Sequence, residues 1–410
     1  MARILRLSPV QRNICICIGL VIVTNVLIVF EYTSPRKVAL SLDETYDPLH
    51  SDEDFRSKNV SRILLVSALF ILPKSEALKE EYLALLPRFL GLITTDTYFY
   101  TTPDLEPSVR AARGPGLPLT IDTSFSSPFD VPPLGGRETV YSRMLAHDKD
   151  RDLHGPELYA VRNAKPFFVD HAIRSLNGME YDYVFWNDAG SFREDHVYSA
   201  WPDPARVEKI WKDGTTLSRT KTDELVFFPM NNNPPKKAKD WMEDLGPLET
   251  DFSQGSFFGG SPASMLWFSQ AFYSYHDHFV KLGFFSGNDR TIYNALLLLY
   301  PSRFITVWVQ DPAAPAHGGL PPGFLGHGYL GACGPEQYYY QWWLSDRETR
   351  EKMRDWWMIH DRDPSKSAWW KTKIPCRLTT VLGIEGVLKR TFGGGWEAPV
   401  GTVTKPTRTW

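Results

Sequence analysis

The stretch Tyr181-Asp182-Tyr183-Val184-Phe185-Trp186-Asn187-Asp188-Ala189-Gly190 constrains this chain more than any other. Tyr, Val, Phe and Trp favour a pleated, buried strand, and the apolar run is too short for a helix. It halts at Asn187-Asp188-Ala189-Gly190, small and turn-prone residues that let a chain leave a sheet. Open α/β sheets build ligand sites where buried strands end, which makes Asp188 a candidate ligand contact. The plainer alternative is that Asn187 and Asp188 only form the turn.

The pieces around this strand alternate. Residues 62–70 read as a buried strand. Residues 76–90 carry Leu78, Tyr82, Leu85, Leu86 and Phe89 at helical spacing, and residues 97–101 form a second strand. Strand, helix and strand within so short a span make a βαβ unit and predict a mostly parallel sheet. Residues 103–136 are rich in Pro and Gly, with a short strand at 119–121. Gly135-Gly136 belongs to no phosphate-cradling motif. Residues 159–176 read as a helix interrupted near Pro166.

Past Asp188, the pattern predicts a helix over 204–212 and a strand over 224–229. A short Gly-closed strand follows within 254–261, then helices over 263–282 and 289–300 and a strand over 303–309. Residues 312–410 are rich in Trp, Gly and Pro and read as a partly helical extension packed on the 61–311 domain.

The N-terminus carries an address. Residues 14–30 are almost wholly apolar, Arg3, Arg6 and Arg12 precede them, and no small-x-small cleavage site follows. This predicts a cytoplasmic tail at 1–12, an uncleaved type II signal anchor at 13–31 and a polar stem at 32–60. The remainder then faces the lumen of the ER or Golgi. Asn59-Val60-Ser61, the chain's one N-glycosylation sequon, lies just beyond the anchor and suits that orientation. Cys15 and Cys17 fall inside the anchor, which leaves Cys333 and Cys376 free to pair in an oxidising lumen if their geometry allows. The net charge of −3 over 410 residues gives no basic field for nucleic acid.

The order of pieces resembles a GT-A-class glycosyltransferase behind a type II anchor, and residues 61–310 resemble the HtrL/YibB-like family within that class. The matching features are the opening strand, Asn163-Ala164-Lys165-Pro166 before a helix and the strand into Trp186-Asn187-Asp188-Ala189-Gly190. To these add Phe257-Phe258-Gly259-Gly260, and Gly287-Asn288-Asp289-Arg290 opening a helix that contains Asn294. The resemblance implies a GT-A-like α/β fold, a nucleotide-sugar donor and a glycan or glycoconjugate acceptor. It also implies Mn²⁺ or Mg²⁺ held at Asp188, although the chain has Asn187-Asp188 where such enzymes carry Asp-x-Asp.

The individual candidates have competing readings. Lys165 either neutralises a phosphate or is an exposed lysine near a helix start. Asn187 and Asp188 either contact the donor or form the turn. Arg193 either pairs with Asp188, binds phosphate, or lies on the surface. Asp289 either accepts a proton or orients the donor sugar, as the resemblance implies, or caps a helix. Gly259 and Gly260 either admit the acceptor to the backbone or mark a bend.

Three further features are set aside. His276 and His278 stand about 200° apart on a helix, so they cannot share an ion, and His276-Asp277-His278 reads as surface. His317 and His327 lack a strand to place them. Asp148, Asp150, Asp152, Asp361 and Asp363 form Asp-x-Asp pairs in charged surroundings and read as solvated loops.

Overall fold

The computed structural model describes residues 61–74, 79–146, 148, 151–176, 181–309, 311, 333–335, 337–360, 376, 378 and 380–403. The anchor and stem, Asn59, Cys15, Cys17, Asp150, His317, His327, Asp361 and Asp363 lie outside these residues. Among the described residues no helix is long and apolar enough to cross a membrane.

Eight strands form one sheet: β1 (Ile63–Leu69), β2 (Asp96–Thr101), β3 (Leu119–Asp122), β4 (Tyr183–Asn187), β5 (Val226–Phe227), β6 (Phe257–Gly260), β7 (Phe304–Thr306) and β8 (Leu382–Gly383). Their spatial order is β3-β2-β1-β4-β6-β5-β7-β8. Strands β1, β2, β3 and β4 pair in parallel, and β5 pairs in parallel with β7. Strand β6 runs antiparallel between β4 and β5, and β8 runs antiparallel to β7. Through β6, β5 and β7 therefore point the same way as β4, and the expected mostly parallel α/β sheet is present.

Alternation along the strands explains the two core layers, because successive side chains leave opposite faces. Leu64, Val66, Val184 and Trp186 join one buried cluster, while Ile63, Leu65, Tyr183 and Phe185 join the other. In chain order the helices are α1 (Lys79–Leu90), α2 (Glu106–Arg113), α3 (Glu138–Leu145), α4 (Pro156–Ser175), α5 (Pro204–Ser218), α6 (Pro262–Lys281), α7 (Asp289–Leu299), α8 (Tyr340–Trp343), α9 (Arg347–His360) and α10 (Ile384–Phe392). Side chains of α4, α6, α7 and α10 fill the first cluster; α1, α2, α5 and α8 fill the second.

Two local readings need correction. Helix α2 lies within the Pro- and Gly-rich stretch 103–136 and helix α3 just beyond it, where the sequence pattern predicts no helix. Helix α4 also runs through Pro166 without a break. The reason is the Tyr273 hydroxyl, which enters the helix at the proline. It accepts from Phe167 N at 3.2 Å and donates to Asn163 O at 2.7 Å, bridging the bond that the ring spreads apart.

The segment beyond 311 supplies β8, helices on both faces of the sheet and a disulfide between Cys333 and Cys376, whose Cα atoms are 4.7 Å apart. The pairing left open by the sequence is therefore made.

Candidate functional site

Strand β4 ends at Asn187, and the next residue, Asp188, projects from the carboxyl edge of the sheet. Its amide donates to Ser256 O at 2.9 Å, tying the turn to the start of β6. Helix α4 packs against β4 and brings Lys165 to this edge. Helix α7 starts here too, and its first residue, Asp289, meets the same lysine.

Lys165 Nζ lies 3.1 Å from Asp188 Oδ1, 3.2 Å from Asp289 Oδ2 and 3.0 Å from the Gly255 carbonyl. The Trp186 indole N–H donates to Asp188 Oδ1 at 2.6 Å. Lys165 and Asp289 have side chains only 8% and 3% exposed, whereas Asp188 keeps 36%. Two carboxylates around one ammonium leave a formal charge of −1, and Asp188 is the member that opens outward.

Burial works against the charges of Lys165 and Asp188. It pulls the Lys165 ammonium downward, but Asp188 and Asp289 outweigh it, and the lysine ends above its ordinary value. Burial also pushes the Asp188 carboxyl upward, opposed by Lys165 and the Trp186 bond, and the net shift stays upward.

The surrounding architecture fixes these positions. Asn163 Nδ2, half a turn before Lys165, donates to Ser286 O at 2.7 Å and to the Tyr141 hydroxyl at 2.8 Å. That bond fastens α4 to the loop leading into Asp289. Asn288 caps α7, accepting from Arg290 N at 3.2 Å, and Asp289 Oδ1 accepts from the same amide at 3.0 Å. Asp289 thus serves the helix end with one oxygen and Lys165 with the other.

Several sequence expectations change here. Lys165 is not an exposed lysine near a helix start; it lies mid-helix, buried and held by two carboxylates. Asn187 is fully buried, and its side chain is spent on the turn, accepting from Ser191 Oγ at 3.0 Å and donating to Asp188 O at 3.1 Å. Its donor contact is replaced by a structural one. Arg193 is exposed, and the cation paired with Asp188 is Lys165 instead.

Gly259 and Gly260, expected to admit the acceptor or mark a bend, lie within a buried strand. Both are buried inside β6, where Gly259 sits opposite Phe185 on one side and Phe227 on the other. A Cβ there would strike the Phe185 ring, so this glycine serves sheet packing. Asp289, expected to accept a proton, orient the donor sugar or cap a helix, has a side chain only 3% exposed and does serve the helix end; Asp188 is the more accessible carboxylate.

His276, read as surface, is fully buried. Its ring contacts the Tyr141 hydroxyl at 2.8 Å and Asp277 Oδ1 at 3.0 Å, while Arg137 pairs with Asp277 at 2.8 Å. Asp148, read as solvated, accepts from Tyr159 and contacts His154.

Sequence reasoning missed the Gly255 carbonyl and the Trp186 indole as partners of the charged group. Trp186 had a visible signal, because residues two apart on a strand share a face and Asp188 continues that alternation. Gly255 had none, since its role comes from a backbone oxygen brought in by a different segment.

Beside this group lies a cleft of about 380 Å³, lined by Asn231, Asn232, Asp251, Arg290, Val309 and Gln337. Gly255 separates the two places: a Cβ on it would stand 2.8 Å from Arg290 Cγ and 3.4 Å from Asp289 Oδ2. Among the described residues, no group of three or more His, Cys, Asp or Glu side chains gathers to hold a metal.

No family model matches the chain. No curated protein matches it either. Among solved structures, it is similar to core-mannan synthase A from Aspergillus fumigatus in an Mn/GDP form, at 12% identity and a TM-score of 0.36. The match covers 65% of this chain and 82% of that chain. So slight a likeness carries no inference; fold class and site rest on the chain's own geometry.

Proposed function

We propose that this chain is a nucleotide-sugar-dependent glycosyltransferase with a GT-A-like fold, related to the HtrL/YibB-like family by the motifs quoted above. The observation that carries the proposal is the Asp188–Lys165–Asp289 group at the carboxyl edge of a mostly parallel sheet, beside a polar cleft. In this reading the acceptor hydroxyl attacks the anomeric carbon of the donor and a nucleoside diphosphate leaves.

Asp188 is the residue that faces the donor. The group's formal charge of −1 would repel a diphosphate, so its charge balance fits a divalent cation, Mn²⁺ or Mg²⁺, on the outward side of Asp188. One carboxylate is fewer ligands than such an ion takes, so substrate phosphates and water would supply the rest. Bound there, the ion would neutralise charge on the leaving diphosphate. Lys165 holds Asp188 at a fixed angle, and Asp289 in turn holds Lys165 and sets its charge. Asp289 is a positioning residue in this scheme.

The acceptor would be a glycan or glycoconjugate in the ER or Golgi, reached by a domain tethered through residues 13–31. The Cys333–Cys376 disulfide supports an oxidising compartment.

One observation favours a second reading, a non-catalytic glycan-binding or structural protein. Asp188 is already paired inside the protein, as a purely structural carboxylate would be. The adjoining cleft argues the other way.

The deciding experiment is the melting temperature of the purified full chain with UDP-, GDP-, CDP- and ADP-sugars, with and without Mn²⁺. A ligand that binds only the folded state raises it by mass action. A rise with one nucleotide that disappears in Asp188→Asn, with the variant still folded, supports the transferase. No rise with any nucleotide supports the second reading.

A further inference from the structure

We propose that the cleft lined by Asn231, Asn232, Asp251, Arg290, Val309 and Gln337 is a preformed subsite for an uncharged saccharide unit. The proposal rests on the transferase reading for its biological purpose, but its physical argument is separate.

Placement comes first. Strand β5 continues as an isolated pairing of Met230 with both Ser253 and Trp308, so Asn231 and Val309 leave the sheet side by side. Both leave at the carboxyl ends of parallel strands, the same edge from which Asp188 projects. That edge is where open α/β sheets bind ligands.

Rigidity comes next. Asn294, one turn along α7 from Arg290, brackets the segment that carries Asp251. Its Oδ1 accepts from Ser253 N at 3.0 Å and Ser253 Oγ at 2.7 Å, and its Nδ2 donates to Thr250 O at 2.7 Å. Gln254 Nε2 donates to Gln337 O at 2.7 Å, fixing the opposite wall. One helix therefore supplies Asp289 to the charged group, Arg290 to the cleft and Asn294 to its frame.

The lining selects the ligand. Arg290 pairs with Asp251 at 3.1 Å, so the described residues of the lining carry no net charge and hold no free cation to attract an anion. Three amides, a carboxylate and a guanidinium offer donors and acceptors together, which suits hydroxyls that both donate and accept. Among the described residues no aromatic ring lines it, which disfavours a nucleobase seeking a stacking face. Its volume lies within the range of small-molecule sites.

The test is saturation-transfer NMR of the purified full chain with the methyl glycosides of glucose, galactose, mannose and N-acetylglucosamine. Wild type, Asp251→Asn and Gln337→Ala are compared, with the nucleotide-induced melting shift recorded as a separate readout. At least one glycoside should bind, and affinity should fall about tenfold in Asp251→Asn, as for a lost charged hydrogen bond. Gln337→Ala, at an exposed position, gives a second reading should Asp251→Asn fold poorly.

Glycoside binding without any nucleotide shift would uphold the subsite and sink the transferase reading. Absence of binding to wild type, or equal binding by wild type and both variants, would overturn the subsite. So would displacement of the glycoside by free UDP or GDP together with loss of nucleotide binding in Asp251→Asn, since the cleft would then be the nucleotide's own.

Discussion

Lys165 and Asp289 stand 3.2 Å apart, almost sealed from solvent, although one lies in the middle of α4 and the other opens α7. The lysine also reaches Asp188, so a single ammonium balances carboxylates from two remote parts of the chain. This relationship governs both the stability of the site and the charge it presents.

Removing the ammonium should therefore cost more than a surface ion pair. Lys165→Met leaves Asp289 buried without its cation, and breaking a buried pair by deleting one partner costs about 3–5 kcal/mol. Urea denaturation of the variant against wild type measures the loss. A change under about 1 kcal/mol, the level of an exposed pair, would show that the lysine is not needed for balance.

The pH dependence follows from the directions of shift. Lys165 holds its proton more tightly when folded, so its pairing contributes stability fully present below pH 10.5 and lost as pH rises through the folded value. Asp188 is raised above 3.8, so the native state binds that proton more tightly than the unfolded chain. Its contribution makes stability fall as pH climbs from 3.8 through the folded value. Melting curves of wild type and Asp188→Asn across this acid window check the sign; the variant should lack that component. Trp186 fluorescence should report the same titration, because its indole donates to the carboxylate.

Asp289→Asn keeps the shape of the side chain and removes its charge. The group then becomes neutral, one lysine against one carboxylate. If Asp289 positions Lys165 rather than reacting, transfer should slow chiefly through kcat, by about tenfold to a hundredfold, with the acid limb of the pH–rate profile moved. A loss of about 10³-fold or more with an unmoved profile would point instead to direct proton transfer.

Gly259→Ala separates a packing role for this glycine from an acceptor-side one. The new methyl would press on the Phe185 ring and stand 2.5 Å from the Val184 carbonyl. Overpacking of this kind costs about 1–3 kcal/mol. The expected result is a lower urea midpoint with acceptor KM unchanged in the fraction that remains folded. An unaltered midpoint with a raised acceptor KM would restore the ligand-side role.

The sequence by itself determined the alternation that makes a mostly parallel α/β sheet, because buried strands and amphipathic helices differ in hydrophobic period. It also determined that Asp188 would leave the sheet at a strand end, since Trp186 must be buried and Asn187-Asp188-Ala189-Gly190 must turn. It singled out Lys165 and Asp289 as separate candidates. Tertiary structure alone decided that they meet, that Asp289 is enclosed while Asp188 opens outward, and that Gly255 lends a carbonyl between them. It also decided that α4 survives Pro166, through a hydroxyl from α6. The physical reason is common to all four. Period and turn chemistry are local and can be read along the chain. The balance of a buried charge, or of a broken backbone bond, depends on whichever remote group folding brings within about 3 Å.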